Sequence, residues 1–182
     1  VCGYGHNVGV TNFSIALCNF LQNKCRYNVA FIELNATNQI RLLNLNTNNY
    51  TFRKNYINFF PNSTLNNLQD ILKQDYDFFI LDFGVLNQYT INEYARCHMQ
   101  LAICPLSSWK KTVLEEFLET LCDKYINYQT HITFLGYERI KENLTRIHRT
   151  YKIDILPLPF LPNPFQITSE DFDFFNNLLE RM

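Results

Sequence analysis

Short apolar runs alternate with amphipathic stretches along the 182-residue chain. The apolar runs, which are typical of strands buried in a parallel sheet, cover residues 28–34, 76–84, 100–104, 130–135 and 153–156. Apolar residues recur at helical spacing over residues 12–22, 65–72, 91–99, 108–125, 141–150 and 169–182. This alternation predicts an α/β fold, a mostly parallel sheet sandwiched by helices in three α/β/α layers.

Residues 35–61 interrupt the alternation, because they are polar, rich in Asn and weakly patterned. We expect a short helix near residues 40–45 and an irregular or hairpin-like excursion over residues 50–60. No linker or internal repeat divides the sequence, so residues 1–182 are predicted to form a single domain. Almost no strand precedes the first glycine, and we therefore expect the first strand to be truncated at the amino terminus.

The final helix is predicted to follow a capping box formed by Thr168 and Asp171. Its apolar side carries Phe172, Phe175, Leu178, Leu179 and Met182. Its charged residues are mainly acidic, with Glu170, Asp171, Asp173 and Glu180 against Arg181. Because an anionic leaflet repels acidic residues, we expect this helix to dock on the domain and not to insert into a membrane.

A glycine-rich segment leads directly into the first helix and has the layout of a phosphate-binding loop. Its candidate binding residues are Gly5, His6, Asn7, Val8, Gly9, Val10, Thr11 and Asn12. Glycines allow several backbone N–H groups to point inward, and the following helix adds the positive end of its dipole. Thr11 stands where such a loop places the hydroxyl that binds Mg²⁺.

The loop lacks the cation that such loops carry. A Walker A motif has lysine between the last glycine and the threonine, and here that residue is Val10. Lys24 and Arg26 lie at the far end of the predicted helix. A tight strand-to-helix turn that binds nothing is therefore the alternative interpretation of this segment.

Asp82 is the second candidate metal ligand, because it follows an apolar run and precedes Gly84. A carboxylate at the end of such a strand orders Mg²⁺ in P-loop proteins. The simpler alternative is an aspartate that ends a strand and caps a turn. If Thr11 and Asp82 share a metal, they must lie within about 10 Å of each other, the reach of a water-bridged site.

The composition mainly excludes certain classes of protein. The chain has 16 basic and 17 acidic residues, so it has no general attraction to nucleic acid or anionic lipid. None of the six cysteines forms a C-x-x-C pair, and we expect reduced thiols in apolar surroundings. No signal peptide or run of membrane-spanning length is visible in the sequence, so we expect a cytoplasmic protein.

The motifs together resemble those of the MinD/ParA-type deviant Walker A P-loop ATPases. Residues 5–12 are similar to the K-G-G-V-G-K-T-T loop of that family, and residues 31–35 to its second-strand D-x-D segment. Residues 76–82 resemble its Walker B strand, and residues 103–108 the strand and helix cap that follow. The resemblance implies a P-loop NTPase-like domain with ATP and Mg²⁺ as ligands. Among its branches, we favour the TadZ/CpaE-like proteins of pilus and flagellar assembly.

The departures from the family pattern concern charge. Gly5 replaces the signature lysine that reaches the partner's nucleotide across a dimer, and Val10 replaces the Walker lysine. His6 and Asn7 replace two glycines, and the D-x-D carboxylates become Glu33 and Asn35. The resemblance therefore implies weak or absent binding of ATP and Mg²⁺.

Three functions remain open from the sequence. The first is a pseudo-ATPase without catalytic residues, acting as a scaffold or positioning factor through protein partners and forming a homodimer if it follows the family. The second is a slow ATP hydrolase or nucleotide switch that uses the loop, Thr11 and Asp82. The third is a nonspecific DNA-binding partition-type protein, for which Arg139, Arg146 and Arg149 could share one helix face. Glu138 and Glu142 interrupt that basic stretch, so a solvated helix face is favoured and nucleic acid is not the expected partner.

Overall fold

The computed structural model describes residues 1–35, 37–44, 51–104, 106, 110–122, 132–137 and 141–181. Its strands are β1 (Cys2–Gly3), β2 (Val29–Glu33), β3 (Phe52–Lys54), β4 (Ile57–Phe60), β5 (Phe78–Asp82), β6 (Gly84–Val85), β7 (Gln100–Ile103), β8 (Ile132–Gly136) and β9 (Ile155–Pro157). Its α-helices are α1 (Val10–Asn23), α2 (Leu65–Leu72), α3 (Ile91–Ala95), α4 (Lys111–Cys122), α5 (Lys141–Tyr151) and α6 (Ser169–Leu179). A 3-10 helix covers Gln39–Leu43.

The strands form a mostly parallel arrangement in two hydrogen-bonded groups, ordered β6-β1-β7-β8-β9 and β3-β4-β2-β5. Only Phe83 separates β5 from β6, and this junction joins the two groups. The Val1 nitrogen donates to the Leu81 carbonyl at 2.7 Å, and the Phe83 N–H donates to the Val1 carbonyl at 3.0 Å. The short first strand therefore lies beside the strand that ends at Asp82.

Helices cover both faces of the sheet. On one face, α1 and α6 enclose a core that includes Phe13, Phe20 and Phe175, and on the other face α2, α3, α4 and α5 contribute to a second core. The five residues of β2 are all buried, because this strand lies between β4 and β5 and under both layers. The predicted three-layer fold is confirmed.

Several element boundaries differ from the predictions. The hairpin-like excursion is a true hairpin, β3–β4, but β4 also pairs in parallel with β2 and so becomes a buried strand of the main sheet. Helix α3 ends at Ala95 and not near residue 99, and helix α1 begins at Val10, which places Val10 and Thr11 in its first turn. The sequence predicts Ser107 or Ser108 as the cap of the helix over residues 108–125, and these two residues, the end of that helix near Tyr125, and Arg139 lie outside the described residues.

The final helix docks on the domain, as its sequence predicts, and it packs against α1. The Phe175 ring stacks on Phe13 and Phe20 with centroid distances of 6.2 and 5.0 Å. Thr168 and Asp171 form the predicted capping box, with the Thr168 hydroxyl donating to the Asp171 carboxylate at 2.9 Å. Among the described helices, none is both long and apolar enough to cross a membrane.

Candidate anion-binding cleft

A cleft of about 730 Å³ opens at the carboxyl ends of β1, β2 and β5, beside the amino terminus of α1. The glycine-rich loop forms one wall, and the segments after β2 and β5 form the other. Its lining residues are Gly5, His6, Asn7, Val8, Gly9, Val10, Thr11, Asn12, Leu34, Asn35, Thr37, Gln39, Phe83, Gly84, Val85, Leu86 and Asn87. All eight loop residues that the sequence indicated therefore line one cleft.

The loop has the backbone conformation that its glycines predict. Gly9 caps α1 with φ of 95°, and Asn7 has φ of 58°, both in the left-handed region. Asparagine adopts this region more readily than most residues, so Asn7 keeps the turn where the family motif has glycine. The side chains of His6 and Asn7 are exposed.

Val10 and Gly5, the positions of the two missing lysines, lie in opposite surroundings. The Val10 side chain is 5% exposed and packs in the core with α1 and α6. A Cβ added at Gly3 would lie 2.7 Å from the Val10 Cγ2 atom, so the first strand fits closely against this side chain. A Cβ added at Gly5 would meet no atom within 4 Å.

Thr11 lines the cleft, and its side chain contacts Asp82, which is fully buried behind it. The Thr11 hydroxyl donates to the Asp82 Oδ2 atom at 2.6 Å, which confirms the predicted proximity. The other oxygen, Oδ1, accepts the Gly84 N–H at 2.9 Å. Complete burial raises the pKa of the Asp82 carboxyl, although the hydrogen bonds from Thr11 and Gly84 favour its ionised form.

Glu33 does not face the cleft, contrary to its alignment with a carboxylate of the D-x-D segment. Its side chain is fully buried, with Oε1 accepting the Ile40 N–H at 3.3 Å and Oε2 accepting the Asn62 N–H at 2.9 Å. Burial raises the pKa of this carboxyl. Glu33 therefore holds the start of the 3-10 helix and the turn after β4, and it is not placed to orient a ligand or a water in the cleft.

Asn35 does line the cleft, on the wall opposite the loop. Its Oδ1 atom accepts hydrogen bonds from the backbone N–H and the hydroxyl of Thr37. Gly84 has φ of 57°, and a Cβ there would lie 2.8 Å from the Asn35 Cβ, so glycine is required for the two segments to approach. An amide in this position can donate a hydrogen bond but cannot act as a general base.

The cleft carries almost no charge. Of its described lining residues, none is Lys, Arg, Asp or Glu, and His6 is the titratable one. Amides supply most of its polar side chains: Asn7, Asn12, Asn35, Gln39 and Asn87. An anion in this cleft would therefore be held by backbone N–H groups, the α1 dipole and neutral side chains.

Three contacts of the loop have no clear signal in the sequence. The Tyr137 hydroxyl packs on Gly9, where an added Cβ would lie 2.8 Å from it. The Asn12 amide donates to the Leu161 carbonyl at 2.9 Å and ties the proline-rich segment to α1. The Lys110 ammonium donates to the Tyr4 hydroxyl at 2.7 Å, one residue before the loop, although Tyr4 does not line the cleft.

The described part of the chain, the cleft included, has no metal-binding cluster of the usual titratable residues. No group of three or more His, Cys, Asp or Glu residues there could hold a metal ion. The described cysteines, Cys2, Cys18, Cys25, Cys97 and Cys104, form no disulfide with one another. The exposed Arg146 and Arg149 of α5 do not line the cleft.

No protein-family model matches the chain, and no curated protein matches it. Solved structures do. A plasmid partition protein from Borrelia burgdorferi has a TM-score of 0.65 and 13% identity, covering 100% of this chain and 98% of its own. Cobyrinic acid a,c-diamide synthase from Mycobacterium smegmatis, solved with ADP and magnesium, has a TM-score of 0.66 and 13% identity, covering 98% and 93%. The MinD cell division protein of Aquifex aeolicus has a TM-score of 0.53 and 12% identity, covering 96% and 85%. At such low identity these likenesses establish the fold alone, and the chain has the fold of the ParA/MinD-type P-loop ATPases.

Proposed function

We propose that this protein is a non-hydrolysing relative of the ParA/MinD-type ATPases that works as a scaffold or positioning factor through protein contacts. The observation that carries the proposal is the uncharged cleft, in which the Walker lysine position is a buried valine. Phosphoryl transfer depends on stabilising charge, and the described walls of this cleft supply no fixed cation. A cytoplasmic protein of the TadZ/CpaE-like branch, serving a pilus or secretion machine as a homodimer, is the specific form that we propose.

The size of the expected effect follows from the two absent lysines. Each charged hydrogen bond contributes about 1.5–3 kcal/mol, so the loss of two weakens affinity by roughly 150-fold to 25,000-fold. The backbone N–H groups and the α1 dipole can still hold a phosphate or sulfate. Binding and turnover should therefore separate, with weak binding and no hydrolysis.

A slow Mg²⁺-dependent nucleotide switch is the second candidate, and the bond between Thr11 and Asp82 favours it. A hydroxyl and a carboxylate are the ligands that Mg²⁺ uses beside a phosphate loop, and these two residues fit that role. Asp82 is fully buried, so a metal would be held by the Thr11 oxygen with Asp82 behind it. The cleft fits the charge of a triphosphate less well, because no lysine or arginine lies among its described lining residues.

Calorimetry and phosphate release distinguish the two candidates. The chain should bind ATP weakly in the presence of Mg²⁺ and release phosphate no faster than the buffer control. Asp82→Ala should then leave phosphate release unchanged. Turnover that requires Mg²⁺ and disappears in Asp82→Ala would instead establish the switch and reject the pseudo-ATPase.

A further inference from the structure

Four exposed tyrosine and arginine residues lie at the end of the sheet opposite to the cleft. We call them the tyrosine–arginine patch, which consists of Arg26, Tyr27, Arg53 and Tyr56. All four are exposed, Tyr27 by 40% and Tyr56 by 66%. Arg26 and Tyr27 precede β2, while Arg53 and Tyr56 belong to the β3–β4 hairpin, so the patch lies where β2 and β4 begin.

Hydrogen bonds join the two halves of the patch. Gln22 lies between the carbonyl groups of Tyr27 and Tyr56. When its side-chain amide is oriented with the nitrogen toward them, it donates to the Tyr27 carbonyl at 3.0 Å and to the Tyr56 carbonyl at 3.2 Å. The Arg53 Nε–H also donates to the Tyr56 carbonyl, at 3.4 Å, and its guanidinium lies 5.6 Å from the centre of the Tyr56 ring. The turn before β2 and the hairpin tip therefore form one continuous surface.

The backbone of the patch is strained at two of its four residues. Tyr56 has φ of 65° and Arg26 has φ of 67°. The other described residues with positive φ are Asn7, Asn38, Asn55, Asn62 and Lys152, apart from Gly9 and Gly84. A hairpin tip with two left-handed residues favours glycine at the second position, where this chain has an exposed tyrosine. Non-glycine residues that are held in this region cluster at functional sites.

The patch carries the positive charges of Arg26 and Arg53, and acidic residues border it on one side. Among the described residues, no carboxylate forms an ion pair with Arg26 or Arg53. Asp75 and Asp77 border the patch beyond Asn28, whose backbone N–H donates to Asp77 at 2.7 Å. A long polyanion such as nucleic acid would meet these carboxylates, whereas a short acidic segment would not have to.

We propose that the tyrosine–arginine patch binds an acidic segment of a protein partner that also carries an aromatic side chain. Exposed tyrosine and arginine are the residue types that dominate protein interfaces, and arginine holds carboxylates by paired hydrogen bonds. Arg53 lies over the Tyr56 ring, and Phe78 packs against the Tyr27 ring at a centroid distance of 4.8 Å. The exposed remainder of each ring is therefore the surface that is left for the aromatic side chain. The inference rests on the proposed function in one respect, since it supplies the protein contact that a scaffold needs.

The probe for this site is a fluorescein-labelled synthetic peptide of twelve residues in which glutamates alternate with phenylalanines, measured by anisotropy. The full chain should bind it, more weakly as salt rises, and should not bind the same peptide with glutamine in place of glutamate. Arg53→Gln combined with Tyr56→Asn should weaken binding by about tenfold or more. The matched controls Lys73→Gln and Tyr89→Asn, at exposed positions outside the patch, should change it by less than about twofold.

Asparagine is chosen at position 56 because it tolerates the left-handed conformation. The melting temperature of Tyr56→Asn should therefore stay level or rise while its affinity for the peptide falls. If Tyr56 only stabilised the hairpin, stability and affinity would fall together. Absence of peptide binding, or equal binding by the double variant, would overturn the inference. So would tighter binding of a single-stranded thymidine 20-mer that the same variants abolish. ATP turnover in the same preparation bears on the proposed function alone, so the two failures are distinguishable.

Discussion

Lysine at position 5 and lysine at position 10 should have opposite costs, although both restore a cation of the ATPase motif. At Gly5 a new side chain meets open space, because no atom lies within 4 Å of the added Cβ. At Val10 it replaces a core side chain that is 5% exposed. Losing the burial of one valine costs about 1.5–3 kcal/mol, before any cost of holding an ammonium near the core. Gly5→Lys should therefore keep the free energy of unfolding, and Val10→Lys should lower it by at least that amount.

The energy of one charged hydrogen bond sets the gain in nucleotide affinity that each lysine can supply. One charged hydrogen bond of about 1.5–3 kcal/mol corresponds to roughly a tenfold to 150-fold tighter dissociation constant for Mg²⁺-ATP. Calorimetry gives this constant, and urea denaturation of the same samples gives the stability. Since the lysine at position 5 reaches the partner's nucleotide in the family that the chain resembles, sedimentation velocity should show ATP-dependent dimers of Gly5→Lys.

Tyr89→Lys is the matched control, because it adds the same charge at a residue that is 71% exposed and does not line the cleft. If Gly5→Lys gains no more affinity than Tyr89→Lys, the loop does not present a phosphate site. If Val10→Lys is as stable as the native chain, the account of Val10 as a packed core residue is wrong.

Three further outcomes follow from buried groups. Thr11→Val should lower the free energy of unfolding by about 1–3 kcal/mol in urea titrations, because it removes a donor from a buried carboxylate, and an unchanged value would contradict that bond. Burial raises the pKa of both Glu33 and Asp82, so the folded chain binds protons more tightly than the unfolded chain. Stability should therefore fall as pH rises from about 4 through the raised folded-state values, and Asp82→Asn should flatten the pH profile measured by denaturation. Phe175→Ala should lower the free energy of unfolding by about 3–5 kcal/mol, because this ring of α6 stacks on Phe13 and Phe20 of α1. The exposed Phe160→Ala should change it little. Equal losses in the two variants would refute the docking of the last helix.

Elements with a strong local pattern could be predicted from the sequence, and the strand β4 shows where this stops. Ile57, Phe59 and Phe60 are buried because residues 58–60 pair with β2, which is more than twenty residues away. Locally they stand in an Asn-rich segment without strict alternation, so the sequence indicated only a hairpin-like excursion. By contrast, β5 and α1 have long apolar patterns of their own, and both were predicted within two residues at their amino-terminal ends.

In the candidate site, too, the features with a local sequence signal could be predicted, and those that depend on distant segments could not. Glycine spacing and an aspartate after a strand are local signals, and they placed Thr11 and Asp82 together correctly. The orientation of Glu33 depends on the N–H groups of Ile40 and Asn62, which come from other segments and each bind one oxygen of its carboxylate. The alignment with the D-x-D segment could not reveal these hydrogen bonds, because it compares positions along a strand and not the partners of each side chain.

The close fit around Gly3 and Gly9 has a consequence for regulation. A molecular switch needs two arrangements that differ in ligand affinity, and its signal is the exchange between them. Here the Val10 side chain fills the space beside Gly3, and the Tyr137 hydroxyl fills the space beside Gly9. A loop that is in contact on both sides has little space for a second arrangement, so a ligand has little to select. If the domain is a scaffold, its output is then set by the number of copies present, and control passes from a nucleotide cycle to synthesis and degradation of the chain.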